Sequence, residues 1–111
     1  MKYFVTEQER SGTCYHEFYK GAWDGSTFWR ADSLLLHDDV LCEHRGFWET
    51  IAKVVPAYDT YGETRITHED WQKIGALIRK RDAGSRALYA EADAWLGDVW
   101  KVYDCFTILG I

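Results

Sequence analysis

His37, Asp38, Asp39, Cys42, Glu43 and His44 place two imidazoles, a thiol and three carboxylates in one short run. If that run is helical, His37, Leu41 and His44 share a face, and Asp38 and Cys42 share the next. A zinc or other divalent site can be drawn there. The spacing matches no named ligand pattern, however, and the same residues have ordinary uses. Acids ahead of a helix cap its free amides, and His44 falls on an apolar stripe as a partly buried structural histidine.

Two thiol–imidazole pairs can also be drawn. Cys14 and His16 alternate with one intervening residue, so on a strand they share a face and can meet. On a helix Cys42 and His44 diverge by about 200°. Nucleophilic catalysis needs a third group to orient the base, and the sequence places none. The adjacent acids Asp38–Asp39 and Glu69–Asp70 could do acid–base work, but such pairs in a first helical turn are ordinary capping groups. There is no GxSxG, HExxH, P-loop or GxGxxG after a strand. The expectation is a protein that is not an enzyme and carries no metal or cofactor. Cys14, Cys42 and Cys105 form no CxxC pair, so they read as packing thiols rather than a disulfide framework or zinc knuckle.

The elements that position these residues follow from periodicity. Residues 2–8 and 13–20 read as strands that can form a hairpin across Ser11-Gly12. Residues 26–30 are a weak third strand candidate or an aromatic loop. Leu34 to Leu36 is a strand or a helical turn. With Asp38 or Asp39 as N-cap, Val40, Leu41, His44, Phe47, Trp48, Ile51, Val54 and Val55 trace one face of a helix over residues 39–55. Gly46 weakens that helix by ~1 kcal/mol against alanine and leaves room for another element. Pro56 ends it at Val55.

Tyr58 to Gly62 form a loop, with Gly62 free to take positive φ, and Glu63 to Ile66 are extended. Thr67 caps the next helix through Asp70 in a variant capping box, with Trp71, Ile74, Leu77 and Ile78 buried and Gly84 as terminator. Ser85 caps a last helix over residues 86–103, striped by Leu88, Ala92, Trp95, Leu96, Val99 and Tyr103. Residues 105–111 are a short strand or extended tail. The whole is one domain, 1–111, of class α+β: an N-terminal antiparallel sheet packed against about three helices.

With 111 residues, 47% of them apolar, the chain can bury a core. No apolar run approaches a membrane span, and residues 1–9 lack a signal-peptide core, which makes the cytoplasm the expected compartment. The net charge is −5. Residues 1–55 hold six basic and nine acidic groups, residues 56–70 one and four, and residues 71–111 six and five. Nucleic-acid binding calls for the opposite sign. An acidic surface suits a basic partner, and it also serves solubility. Of the six tryptophans, Trp48, Trp71 and Trp95 fall on expected core faces. Trp23, Trp29 and Trp100 do not. Tyr58 and Tyr61 flank Asp59, a composition of binding hot spots, though both rings could equally pack over the helix ends.

One further likeness lies in the middle of the chain. Leu34-Leu35-Leu36-His37-Asp38-Asp39, Phe47-Trp48, the helix to Pro56, Tyr58-Asp59-Thr60-Tyr61-Gly62, Ile66-Thr67 and Asp70-Trp71 together resemble small immunity proteins of bacterial polymorphic toxin systems. Those of contact-dependent growth inhibition are the nearest comparison. The likeness covers roughly residues 33–74, and residues 1–32 match nothing in it. It implies a cytosolic inhibitor, made beside its toxin, that binds one toxin domain with a basic surface, often a nuclease, and occludes it. No catalytic residue carries over. Local acid density and loop placement then point to Asp38, Asp39, Glu43, Tyr58, Asp59, Tyr61, Glu63 and Glu69 as contact residues. An interaction domain of another complex, or a metal protein using His37 to His44, are the competing expectations.

Overall fold

A computed structural model describes all of residues 1–111. It is α+β, a five-stranded antiparallel sheet with four helices. The strands are β1 (Phe4–Val5), β2 (Tyr15–Lys20), β3 (Leu34–His37), β4 (Glu63–Thr67) and β5 (Cys105–Leu109). The helices are α1 (Asp38–Glu43), α2 (Arg45–Val54), α3 (His68–Ile78) and α4 (Ala83–Val99). Strand order is β1-β3-β2-β5-β4.

The sheet is not confined to the N-terminal half. β5, the last element, lies between β2 and β4 and is buried throughout. Nor do the first two strands form a hairpin. β1 pairs with β3, Phe4 opposite Leu36, because Thr6 turns the chain into a single 3₁₀ turn at Glu7–Glu9. β1 is short, and α4 secures it: Glu91 accepts the amides of Lys2, Tyr3 and Phe4 at 3.1 Å.

Alternation along the strands gives the sheet two different faces. Phe4, Phe18, Leu34, Leu36, Ile66, Phe106 and Ile108 join Leu41, Phe47, Ile51, Trp71, Ile74, Ile78, Leu88, Ala92, Leu96 and Val99 of the helices in one core. The opposite face is covered by the loop of residues 21–33. Glu17, 1% exposed, holds that loop by accepting Trp29 N–H (2.8 Å), Arg30 N–H (3.0 Å) and Ser33 Oγ–H (2.7 Å). Residues 26–30 are therefore loop, not strand. Asp24 turns the loop by accepting the amides of Ser26 and Thr27, and those bonds, led by the Thr27 hydroxyl, lower its pKa to about 2. Trp29 sits at φ 60°, a conformation that costs a non-glycine residue energy unless its surroundings hold it.

The expected single helix over residues 39–55 is two helices in series. His44, at φ −117° and ψ 64°, leaves helical geometry, and its Nδ1–H donates to Val40 C=O at 2.7 Å. The N-cap of α1 is His37, not Asp38 or Asp39: its Nδ1 accepts Asp39 N–H at 3.0 Å. Gly46 does admit another element. A Cβ there would meet Asp82 Oδ1 and Ser85 Oγ of the α4 entry at 2.7 and 2.8 Å.

Thr67 caps α3 as expected, accepting Asp70 N–H at 3.1 Å, without a return bond from Asp70. Gly84 does not terminate α3, which ends at Ile78. It lies in the first turn of α4, where a Cβ would strike the His44 ring. The α4 cap is Asp82, not Ser85, which is instead buried and bonded to the Asp82 carboxylate. Gly62 does not take positive φ; Gly12, Gly21 and Gly25 do. No helix is long and apolar enough to cross a membrane.

Candidate functional site

Strand directions decide which chemistry-bearing residues meet. Tyr15 opposes His37, Glu17 opposes Leu109, and Leu109 opposes Glu63. The start of β2, the ends of β3 and β5 and the start of β4 thus share one end of the sheet. α1 leaves that end directly from β3, and the loop of residues 55–62 returns to it. The two meet over a groove of about 320 Å³ lined by Asp38, Leu41, Cys42, Trp48, Thr60 and Tyr61.

The groove wall from α1 follows from helical spacing. Asp38 and Cys42 are four residues apart and share a face, beside buried Leu41. The opposite wall is a loop fixed by its own polar groups. Asp59 Oδ1 accepts Tyr61 N–H (2.9 Å), and Thr64 Oγ1 accepts Asp59 N–H (3.0 Å). The chain end then pins it. Gly110 N–H donates to Gly62 C=O at 2.7 Å, and Ile111 N–H donates to Thr60 C=O at 3.1 Å. A Cβ on Gly110 would run into the Thr60 carbonyl, so only glycine permits this approach. Tyr61 is left 80% exposed, while Tyr58 packs against the core.

Behind the groove lies a buried pair. His16, 1% exposed, presents Nε2 to Asp38 Oδ1 at 2.8 Å, and the Asp38 side chain is 29% exposed. Nothing bonds His16 Nδ1. A bare acceptor nitrogen is tolerated better there than an orphaned N–H, so the partners assign the Nε2–H tautomer. Asp38 Oδ2 has only the Cys42 thiol, 3.8 Å away. Desolvation by the groove wall, and then the Asp38 carboxylate, push the Cys42 thiol pKa up, although the residue as a whole is exposed. A thiol held protonated beside an anion is a poor nucleophile.

Neither drawn thiol–imidazole pair forms. The His16 imidazole faces Asp38, not Cys14, and the His44 imidazole turns to Val40 C=O while the Cys42 thiol faces Asp38. Cys14 and Cys42 are exposed, so of the three thiols only Cys105 is a packing residue. The drawn metal cluster also separates. His37 caps α1, while His44 turns to Val40 and lies edge-on to Tyr3 with ring centroids 5.1 Å apart. No three His, Cys, Asp or Glu side chains converge as a metal site.

The structure brings together most of the expected contact residues. Asp38 and Tyr61 line the groove, and Asp59 braces its loop wall, while Glu63, the first residue of β4, lines a neighbouring pocket with Tyr61, Trp23 and Phe28. Asp39 and Glu43 share the adjoining, exposed face of α1. Tyr58 stands behind the loop, its phenol pKa raised by burial and then by the nearby Asp38 and Asp59. Glu69 is not part of this group. It lies past the other end of β4, whose span from Glu63 to Thr67 is about 13 Å at the strand rise of ~3.3 Å per residue, and it pairs with Lys73 at 3.3 Å. Asp38, Asp39, Glu43, Asp59 and Glu63 have no lysine or arginine within salt-bridge distance.

Sequence reasoning set His16 beside Cys14 rather than Asp38, and left Trp48 out of the site. Trp48 was assigned to the core, but it is half-buried and lines the groove. The signal for His16 was its place among the apolar positions of β2, where a buried imidazole needs a partner. The other tryptophans have structural duties. Trp71 is fully buried, and Trp95 donates to Asp32 C=O at 3.0 Å. Trp23 donates to Thr27 C=O at 2.7 Å, Trp29 lies under the Arg10 guanidinium, and Trp100 stacks on His68. Comparison of the chain with protein-family models, curated proteins and solved structures finds no match.

Proposed function

We propose that this protein is a stoichiometric inhibitor of the immunity type, which binds a cognate toxin domain through the groove end of the sheet and occludes it. The observation that carries the reading is the occurrence of five carboxylates without a lysine or arginine partner at the end of the sheet that holds an apolar, aromatic groove. Ion pairs elsewhere on the surface are common: Arg45–Glu49, Arg81–Glu49, Lys73–Glu69 and Lys101–Asp98 all lie within 3.3 Å. None of these five carboxylates pairs with a lysine or arginine of the chain. A cluster of like charges on a fold costs self-repulsion, which a basic partner relieves on binding. Exposed Tyr61 and half-buried Trp48 supply the aromatic anchors that dominate interface energetics. Nuclease toxins, with phosphate-seeking basic surfaces, fit that charge.

The reading places the protein in the cytoplasm, where it meets its toxin before harm is done. It involves no metal, cofactor or catalysis, because occlusion needs only a complementary surface. The test is a pull-down of purified protein against the product of the adjoining upstream gene, followed across salt. Tight binding that weakens as salt rises, together with loss of toxin activity, supports the reading. Absence of binding, or absence of such a gene, refutes it.

A further inference from the structure

We infer that the groove over Asp38 seats a single arginine side chain of the bound protein, with its guanidinium on Asp38 Oδ2 and its face against Trp48 and Tyr61. Only the source of the arginine depends on the proposed function; the groove's chemistry does not. Asp38 is held in place by a buried histidine, 2.8 Å from Oδ1, so its orientation is set before any ligand arrives. Oδ2 has only a weak thiol donor, and no lysine or arginine of this chain reaches it. The remaining walls are Leu41, Trp48 and Tyr61, with Thr60.

That combination is specific in kind. A neutral apolar ligand would leave the carboxylate facing a low-dielectric wall. An ammonium is compact and strongly hydrated, and aromatic walls strip that hydration without replacing it. A guanidinium is planar, weakly hydrated, able to stack on rings, and equipped with a fork of N–H donors for a carboxylate. The space, about 320 Å³, admits one long side chain. His16 acts as a positioning residue: it touches no ligand, and it fixes which carboxylate oxygen remains free.

The experiment is an NMR titration of the isotope-labelled protein with N-acetyl-arginine amide, N-acetyl-lysine amide and N-acetyl-citrulline amide, the last a neutral near-isostere. The arginine probe is expected to bind in the millimolar range, shifting Cys42, Tyr61 and the Trp48 indole, with the lysine probe several-fold weaker and citrulline silent. Asp38→Asn should weaken the arginine probe about tenfold, the scale of one lost charge-assisted contact. Should that variant not fold, Tyr61→Ala decides, since its side chain is exposed: several-fold weaker binding supports the inference, and unchanged binding overturns it. Equal binding of lysine or citrulline, or shifts spread over surface carboxylates such as Glu69 and Asp98, also overturns it. A toxin complex formed at this end of the sheet, with no probe entering the groove, sinks the inference alone. Probe binding with no toxin partner sinks the proposed function alone.

Discussion

Replacing Glu17 by glutamine tests how the far face of the sheet is held. The carboxylate takes three donors, two of them backbone amides of the loop that covers that face. Glutamine keeps the shape but replaces one oxygen with a donor. If the amide oxygen serves Arg30 N–H and Ser33 Oγ–H, the new NH₂ confronts Trp29 N–H. One charge-assisted bond is lost, and a buried donor is left without a partner. Bonds to charged groups contribute ~1.5–3 kcal/mol each, and an orphaned buried donor costs ~1–3 kcal/mol. Relief of burying a charge offsets part of this. The net expectation is a loss of about 2–4 kcal/mol, a large share of the ~5–15 kcal/mol typical of a domain. Urea denaturation followed by tryptophan fluorescence reads the loss, and hydrogen exchange at Trp29 and Arg30 locates it. A change under about 0.5 kcal/mol, with both amides still protected, would refute the account, because buried bonds to a carboxylate cannot be that cheap to remove.

Three further outcomes follow from the same geometry. Gly110→Ala should displace the Thr60–Tyr61 side of the groove and cost ~1–3 kcal/mol as an overpacking substitution, read as amide shifts confined to residues 58–63 and 108–111; a silent spectrum contradicts it. Thr67→Ala should cost ~1 kcal/mol by removing the α3 cap, measured by thermal unfolding; replacement by serine should restore most of it. Burial pushes the phenol pKa of Tyr89 from 10.0 up to about 12, and raises that of Tyr58 from the same value. Below pH 10 both are protonated in folded and unfolded chains alike; above it the unfolded chain ionises first, so stability falls as pH rises from 10 toward 12. The double variant Tyr58→Phe/Tyr89→Phe should flatten that alkaline loss, and an unchanged pH profile would contradict it.

What was legible in the sequence was local. β4, the Thr67 cap, the stop at Pro56 and the close approach at Gly46 depend on neighbours a few residues away, and each is found where expected. What was not legible is long-range. β5 comes from the far end of the chain to sit beside β2, and that register cannot be read from either strand alone. The break at His44 lay hidden because α1 and α2 keep one apolar stripe, Leu41, Phe47 and Ile51, across it. The α4 cap was placed three residues late because Asp82, Gly84 and Ser85 all carry terminus signals, and only packing against His44 and Gly46 selects among them. At the site, acid density singled out Asp38, Asp39, Glu43, Asp59 and Glu63, which the fold gathers at one end of the sheet. It also singled out Glu69, which the fold sets past the other end of β4, because sequence adjacency to a strand says nothing about which end of it faces the groove.

The most direct measurement is the affinity for the upstream-encoded toxin domain of the double variant Glu43→Lys/Glu63→Lys, across salt. Both side chains are exposed and free of ion pairs, whereas Asp59 also braces its own loop. The account predicts unchanged folding, binding weakened about 10- to 100-fold at low salt, mostly through slower association, and a difference that shrinks as salt rises. Affinity equal to the parent protein at every salt concentration would contradict it and move the interface away from this end of the sheet.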